Sequence, residues 1–422
     1  MQKKFILLLL LLACAFQFAT AQAKKILFLG NSYTGVNNLP KILYDLAVAK
    51  GDTLMYDSNT PGGYTFNGHS TNATSLAKIN AQIWDFVVLQ EQSQLPSFPP
   101  SQVATEVYPY ANVLDSLIHA HSPCAQTVFY MTWGRKYGDQ QNCASYPVVC
   151  TFEGMQMRLR HSYVQMADDN QALVAPAGMA WRASRLADST INLWVGDNSH
   201  PSIHGSYLTA CVFYATLFKK TPVGLDSLVG ITTNQAKFLQ NIAAATVFDS
   251  LSVWNINEFM PVADFNTTIQ HDTVNFLPNV QFATHYQWNF GDTSAIDTSA
   301  NPTHIYGDSG TYTVQLIVSN NCGISDTSEQ VITVQSAAIN TSIISPILAA
   351  SILVAPNPSQ TSWIVQNQSK ALIQNMTLYN VWGVPLLQTV NPILDASFYP
   401  NGIYILRIVT SQGIVTKKLI KG

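Results

Sequence analysis

Between residues 24 and 259 short apolar runs alternate with stretches of helical periodicity, and past residue 260 that alternation stops. Strands read at 26–29, 86–89, 127–132 and 172–175, and helices at 39–50, 99–120, 158–168 and 203–219. Strands alternating with helices indicate a parallel sheet covered on both faces. Such sheets collect their ligand sites at the carboxyl ends of the strands. The turn Gly30-Asn31-Ser32 lies at one such end, and Gln90-Glu91-Gln92 lies at another.

Residues 263–335 are rich in Thr, Val, Asn and Asp, with period-two aromatic residues in Tyr286-Gln287-Trp288-Asn289-Phe290 and in Thr311-Tyr312-Thr313-Val314. Runs of this kind split by Gly-Asp turns indicate an antiparallel sandwich of short strands. Residues 352–422 are again strand-rich, with turns at Pro356-Asn357-Pro358, Trp382-Gly383 and Pro400-Asn401-Gly402. A chain of 422 residues is long for one core and favours two or three domains. The expected architecture is multidomain: an α/β/α parallel-sheet module over 22–259, a small all-β sandwich over 262–336, a linker over 337–351 and a second all-β module over 352–422.

Ahead of these modules, Lys3-Lys4, an apolar run over 5–13 and the small residues Ala19-Thr20-Ala21 read as a secretory signal peptide over 1–21. Cys14 leaves lipoprotein processing as an alternative. No later stretch is apolar for long enough to span a membrane. With 21 basic and 24 acidic residues and a net charge of -3, the chain has no basic footprint for nucleic acid. Cys124, Cys143, Cys150, Cys211 and Cys322 follow the signal. An exported chain permits disulfides; Cys143 and Cys150 can close a small loop, and the odd count leaves at least one thiol over. No Cys/His spacing suits zinc, and neither a metal nor a cofactor is expected.

Three residue types needed for acyl transfer occur at suggestive positions: Ser32 after the first strand, and Asp197 with His200 three residues on. A serine hydroxyl needs a base to become a nucleophile. His200 would take its proton, and Asp197 would hold the imidazole in the right tautomer. Taken singly, each has a plainer role: Ser32 as a helix N-cap, Asp197 as a turn residue, His200 as a half-buried hydrogen-bonding group.

The ordered blocks resemble the SGNH (GDSL-like) hydrolase superfamily, whose fold is flavodoxin-like, and in particular its branch with Gly-Asn-Ser in the first block. Gly30-Asn31-Ser32 corresponds to the nucleophile block, and Pro61-Gly62-Gly63-Tyr64-Thr65 to the glycine block. Asp197-Asn198-Ser199-His200 corresponds to the final Asp-x-x-His block. Val87-Val88-Leu89-Gln90-Glu91-Gln92-Ser93 stands where that family ends a strand in Gly-x-Asn-Asp. The resemblance implies Ser32, Asp197 and His200 as the triad. It implies an oxyanion hole from the N–H groups of Ser32 and Gly63 and a side-chain amide. Gln92 takes the place of the usual Asn, one methylene longer, with Gln90 as the fallback. Asn31, Glu91 and Arg135 are further candidates for substrate contact, although an exposed loop carboxylate suffices for Glu91 and a salt bridge for Arg135. For His204 a cap or packing role suffices, and for His69 a surface or packing one.

Tyr286-Gln287-Trp288-Asn289-Phe290-Gly291-Asp292, Pro302-Thr303-His304-Ile305-Tyr306 and Gly310-Thr311-Tyr312-Thr313-Val314 resemble a polycystic-kidney-disease (PKD) domain, with Trp288 and Tyr312 as sandwich core. Pro356-Asn357-Pro358, Leu378-Tyr379-Asn380, 401–406 and Lys417-Lys418-Leu419-Ile420 resemble the C-terminal sorting domain of the type IX secretion system. That resemblance implies a Bacteroidota-type bacterium, a partner in the secretion machinery and a secreted or cell-surface location. The expected activity is that of a serine esterase on O-acyl, especially O-acetyl, groups of carbohydrate. A general lipase or carboxylesterase and a non-catalytic glycan-binding adhesin are the alternatives.

Overall fold

The computed structural model describes residues 23–225, 229–335 and 346–422; the expected signal peptide with Cys14, and residues 337–345 of the expected linker, lie outside the described residues. Five strands, β1 (Lys24–Leu29), β2 (Leu54–Asn59), β3 (Phe86–Leu89), β4 (Gln126–Tyr130) and β5 (Leu173–Ala175), form one sheet in the order β2-β1-β3-β4-β5. All of its pairings are parallel. The connecting helices are α1 (Ser32–Gly35), α2 (Leu39–Ala49), α3 (Phe66–Thr71), α4 (Ala73–Ile79), α5 (Pro100–Glu106), α6 (Tyr108–His121), α7 (Phe152–Asp169), α8 (Ala177–Ala187), α9 (Ile203–Phe218) and α10 (Thr233–Phe248).

Ile26, Leu27, Phe28 and Leu29 are consecutive and all buried. A strand sheltered on both faces needs such an unbroken apolar run, not an alternating one. The edge strand β2 buries only Leu54 fully, so its sequence Leu-Met-Tyr-Asp-Ser-Asn carries no comparable run and escapes a reading for buried strands. The register sets Leu29 beside both Asn59 and Leu89, and Leu89 beside Phe129, so the carboxyl ends of four strands are level. Two bonds continue the sheet past β1 and β3: Gly30 N–H to the Asn59 carbonyl at 3.1 Å and Gln90 N–H to the Leu29 carbonyl at 2.9 Å. The Gly30-Asn31-Ser32 turn and the glutamine segment are thereby side by side.

The helix expected over 99–120 is two, α5 and α6, which break at Val107. Pro109 accounts for the break, because proline lacks the N–H and its ring crowds the carbonyl four residues earlier. The helix expected over 158–168 starts earlier, at Phe152, where the Thr151 hydroxyl caps it by accepting from Gly154 N–H at 3.1 Å.

The next strands are β6 (Phe265–Gln270), β7 (Thr273–Pro278), β8 (His285–Asn289), β9 (Thr303–Ile305), β10 (Gly310–Ser319) and β11 (Ser325–Val334). They form two sheets, β6-β7-β9 and β11-β10-β8. Phe265 and Phe276 pack on the fully buried Trp288, with ring centroids 5.1 and 5.2 Å away. Gly291 adopts φ +79°, and a Cβ there would lie 2.4 Å from the Thr313 carbonyl oxygen, so only glycine fits. Tyr312 is half-buried, not core, and its hydroxyl donates to the Asp308 carbonyl.

The last part of the expected linker is helical: α11 (Pro346–Ser351) forms because Leu348 is buried in the C-terminal core. That core is built by β12 (Ile352–Ala355), β13 (Ser362–Asn367), β14 (Ile373–Asn380), β15 (Pro385–Thr389), β16 (Ile393–Asp395), β17 (Gly402–Thr410) and β18 (Gly413–Lys421). They form the sheets β12-β13-β16 and β15-β14-β17-β18 around Trp363, Leu406 and Leu419. Cys143 pairs with Cys150, Cys124 pairs with Cys322, and Cys211 is a buried free thiol.

Candidate active site

A Cβ at Gly30, where β1 turns, would lie 2.6 Å from Thr34 Oγ1 and 2.8 Å from Gln90 Oε1, so a larger residue would have to displace those side chains. The Gly30 carbonyl meets Nε2 of the buried His69 at 2.8 Å, and the other ring nitrogen of His69 meets Ser75 Oγ at 2.7 Å. His69 is therefore a buried brace and not a surface residue. Asn31 caps α1 by accepting from Tyr33 N–H at 3.1 Å, leaving Ser32 as the first helical residue, half-buried. A first helical N–H has no intrahelical partner, and none of the described residues accepts from Ser32 N–H.

Asp197 and His200 lie on a tight loop closed by Val195 N–H to the His200 carbonyl and Asn198 N–H to the Val195 carbonyl, both 3.0 Å. Asn198 takes a left-handed φ of 61°, which Asn tolerates. The loop is held from four sides. Trp133 Nε1–H donates to the Ser199 carbonyl at 3.0 Å, and the Tyr33 hydroxyl and Ser199 Oγ share a bond of 2.6 Å. Lys136 N–H donates to the Asn198 carbonyl at 2.9 Å, and Asn37 Nδ2 to the Pro201 carbonyl at 3.2 Å. Beneath it the rings of Tyr33, Trp133 and Trp181 stack, with centroids 4.8 and 3.7 Å apart and planes within 4°. Tyr33 also meets the His200 ring edge-on at 5.3 Å.

This framework brings Ser32, His200 and Asp197 into one line. His200 Nε2 is 2.8 Å from Ser32 Oγ, and His200 Nδ1 is 2.5 Å from Asp197 Oδ2. Asp197 Oδ1 accepts from the N–H groups of Ser199 and His200, both at 2.9 Å. Burial alone would raise the Asp197 carboxyl, but the Ser199 N–H, the His200 ring and the His200 N–H together hold it below its ordinary value. It is therefore ionised at neutral pH.

Gly63 stands in an exposed turn with φ +70°, and no described residue accepts from its N–H. The next carbonyl, that of Tyr64, accepts from Asn31 Nδ2 at 3.0 Å, which ties the glycine turn to the residue preceding Ser32. The two glutamines differ sharply. Gln90 is fully buried; its oxygen accepts from Asn31 N–H and Thr34 Oγ1–H, both at 2.9 Å, and its nitrogen donates to the Glu91 carbonyl. Gln92 is half-buried, its oxygen accepting from the N–H groups of Gln94 and Leu95. Its nitrogen gives one hydrogen to Gln94 Oε1 at 3.2 Å, which leaves the second amide hydrogen unused. A further buried link follows: Gln94 Nε2 donates to Asp139 Oδ2 at 2.7 Å.

Of the three candidates for substrate contact, two are turned inward. Asn31 is buried, with its amide committed to Tyr33, Tyr64 and Glu91. Glu91 is no exposed loop carboxylate: it is fully buried, and burial pushes its carboxyl up to about 8 against the pull of the Gln92 and Phe66 N–H groups. The sequence hides this because Glu91 sits among polar residues, while its burial comes from α3 and α7 packing over it. Arg135 retains exposed atoms; its Nη1 is 3.4 Å from the buried Asp139, and its buried Nε has no partner among the described residues. His204 is on the first turn of α9, half-buried.

Tyr33, Trp133, Asp139 and His69 are supporting residues that the sequence does not announce, since their partners are distant in the chain. Among the described residues no three His, Cys, Asp or Glu side chains gather as a metal site. A cavity of about 540 Å³ borders Cys124, Cys322, Phe259 and Phe282, and contains none of Ser32, Asp197 and His200. The triad instead opens onto the surface, with the side chains of His200 and Asp197 34% and 48% exposed.

Among solved structures, similarity extends to a candidate SGNH hydrolase from Slackia heliotrinireducens, 29% identical, over 46% of this chain and 100% of that one, with a TM-score of 0.39. A DUF4886 family protein from Bacteroides uniformis is 17% identical over 56% of this chain and 99% of its own, with a TM-score of 0.46. An acetyl xylan esterase from Geobacillus stearothermophilus is 18% identical over 45% and 93%, with a TM-score of 0.33. The collagenase ColA of Bacillus cereus is 48% identical over 50 residues, 12% of this chain, which spans only 5% of that curated relative's length. Residues 261–334 match the family model of the PKD domain, and residues 353–422 match that of the secretion system C-terminal sorting domain. Behind the parallel-sheet α/β module, the chain thus carries one segment that matches the PKD domain and one that matches the secretion system C-terminal sorting domain.

Proposed function

We propose that the α/β module is a serine ester hydrolase, with Ser32 as nucleophile, His200 as base and then acid, and Asp197 as the group that orients His200. The observation that carries this reading is the unbroken line from Ser32 Oγ through both ring nitrogens of His200 to Asp197. Ser32 Oγ attacks the ester carbonyl while His200 Nε2 takes its proton. The resulting oxyanion is received by the N–H groups of Ser32 and Gly63 and by the remaining amide hydrogen of the half-buried Gln92, with the fully buried Gln90 as the fallback donor. His200 returns the proton to the leaving alkoxide, and water then cleaves the acyl-enzyme by the reverse sequence.

The substrate class in this reading is O-acyl, particularly O-acetyl, carbohydrate. A shallow, exposed triad suits a bulky acyl acceptor, and the sorting domain suits an exported protein that meets polysaccharide. Export would begin with the signal at 1–21 and be completed by type IX machinery acting on the C-terminal module, with Arg135 left to contact substrate.

Release of p-nitrophenol from acetyl and longer acyl esters, and of acetate from acetylated xylan, tests the proposal with wild type and Ser32→Ala. Turnover should vanish in the variant to within the residual catalysis of the oxyanion hole; equal rates in both proteins would overturn the serine mechanism. A preference for long chains would select the lipase, and glycan binding without turnover the adhesin.

A further inference from the structure

Glu91 is fully buried, and among the described residues no Lys or Arg pairs with it. An unpaired buried carboxyl is costly, so its bonds are informative. Its Oε2 accepts from Phe66 N–H at 2.9 Å, and its Oε1 accepts from Gln92 N–H at 2.5 Å. Its own N–H donates to the Tyr163 hydroxyl at 3.3 Å. Its carbonyl accepts from Gln90 Nε2 and, at 3.5 Å, from Asn31 Nδ2. Phe66 opens α3 three residues after Gly63, Gln92 bears the free amide hydrogen, and Asn31 directly precedes Ser32.

We propose that Glu91 is a positioning residue for the oxyanion site, its carboxyl clamping the glycine turn to the Gln92 loop so that the Gly63 N–H and the Gln92 amide keep a fixed separation around Ser32 Oγ. The clamp needs one accepting oxygen at each end, and even the protonated carboxyl keeps a lone pair on its hydroxyl oxygen for the second backbone N–H. Glutamine supplies only one acceptor, because its amide nitrogen accepts nothing and would face a backbone N–H. Aspartate is one methylene short and reaches one end only. Donors aimed at the oxyanion are effective when they are already in place as charge develops. Loosening them therefore costs turnover, not ground-state binding.

The inference rests on the ester-hydrolase reading, and its test separates the two. Full-length Ser32→Ala, Glu91→Gln, Glu91→Asp, Gln92→Ala and the Glu91→Gln/Gln92→Ala pair are assayed on p-nitrophenyl acetate, with circular dichroism and thermal melts on each. Glu91→Gln should lower kcat by about 10-fold to 100-fold with KM within about twofold, since the loss lies in the transition state. Glu91→Asp should lower kcat in the same way, and it decides the matter should Glu91→Gln not fold. The pair should lie within about threefold of the weaker single variant, because groups acting as a unit do not add. Wild-type kcat in a folded Glu91 variant, a rise in KM alone, or losses that multiply fully in the pair would overturn the inference. Ser32→Ala loses turnover in each of those cases if the ester-hydrolase reading holds, and keeps it if that reading fails.

Discussion

Replacing Glu91 with Gln should reverse its effect on stability between pH 5 and pH 8. The Glu91 carboxyl titrates near 8 in the folded protein, against an ordinary value of 4.5, because burial disfavours its charge. Between those values the folded state holds a proton that the unfolded state has released. Raising the pH therefore favours unfolding: the stability present below 4.5 is lost progressively up to about 8 and not beyond. At about 1.4 kcal/mol per pH unit, that interval is worth at most about 5 kcal/mol. Glutamine does not titrate and removes this slope, but it leaves one of the two N–H groups, Gln92 or Phe66, without its acceptor. That loss is about 1–3 kcal/mol at every pH. The variant should thus be the less stable protein at pH 5 and the more stable at pH 8.5, with the curves crossing between. Tyr163, whose hydroxyl faces Glu91, is raised by burial further above its ordinary value and stays neutral throughout. His119, raised by its hydrogen bond to Asp115, titrates in both proteins and cancels in the difference. Urea unfolding followed by tryptophan fluorescence at pH 5, 6.5 and 8.5, with both disulfides intact, measures the effect. Parallel pH profiles for the two proteins would refute the burial argument.

Asp197→Asn should keep the loop and lose the chemistry. The amide oxygen would turn toward the Ser199 and His200 N–H groups, which need an acceptor, and present its NH2 to His200 Nδ1. The hydrogen then sits on Nε2, which can no longer take the Ser32 proton; kcat should fall by a factor on the order of 10³ to 10⁴ with Tm little changed, and a loss under tenfold would contradict the role. Trp133→Phe retains the stack on Tyr33 and Trp181 but deprives the Ser199 carbonyl of its donor. Chemical denaturation should show a loss of about 1–3 kcal/mol, and kcat should fall because the His200 loop is less firmly held.

What could be read from the chain and what could not divide along physical lines. The 26–29 run of β1 and all of β3 are legible because a stretch buried on both faces must be apolar at every position, whereas the edge strand β2 needs only Leu54 inside. Ser32, Asp197 and His200 stand out because a strand-to-helix turn and an Asp-x-x-His loop are local patterns. Glu91 reads as a surface residue, because nothing within ten residues reports that Phe66 and Tyr163 close over it. The Tyr33–Trp133–Trp181 stack and the Gln94–Asp139 bond join segments tens of residues apart, and only the fold brings them together. Pro109 is the reverse case: the residue that breaks the helix is local, in the first turn of α6, yet the helical pattern runs across it from 99 to 120.

The bond between Cys124 and Cys322 changes what a cut in the chain would accomplish. It closes a ring between cysteines 198 positions apart in the chain, and that ring contains Asp197, His200 and the whole passage from the α/β module into the sandwich. A protease that severs the backbone near residue 260 would open the ring without releasing either part, and under oxidising conditions the two would travel as a single covalent body. Cleavage beyond residue 335, by contrast, leaves the C-terminal module without a covalent tie, since no disulfide of the described residues reaches it. A cut there would leave the α/β module still covalently joined to its sandwich.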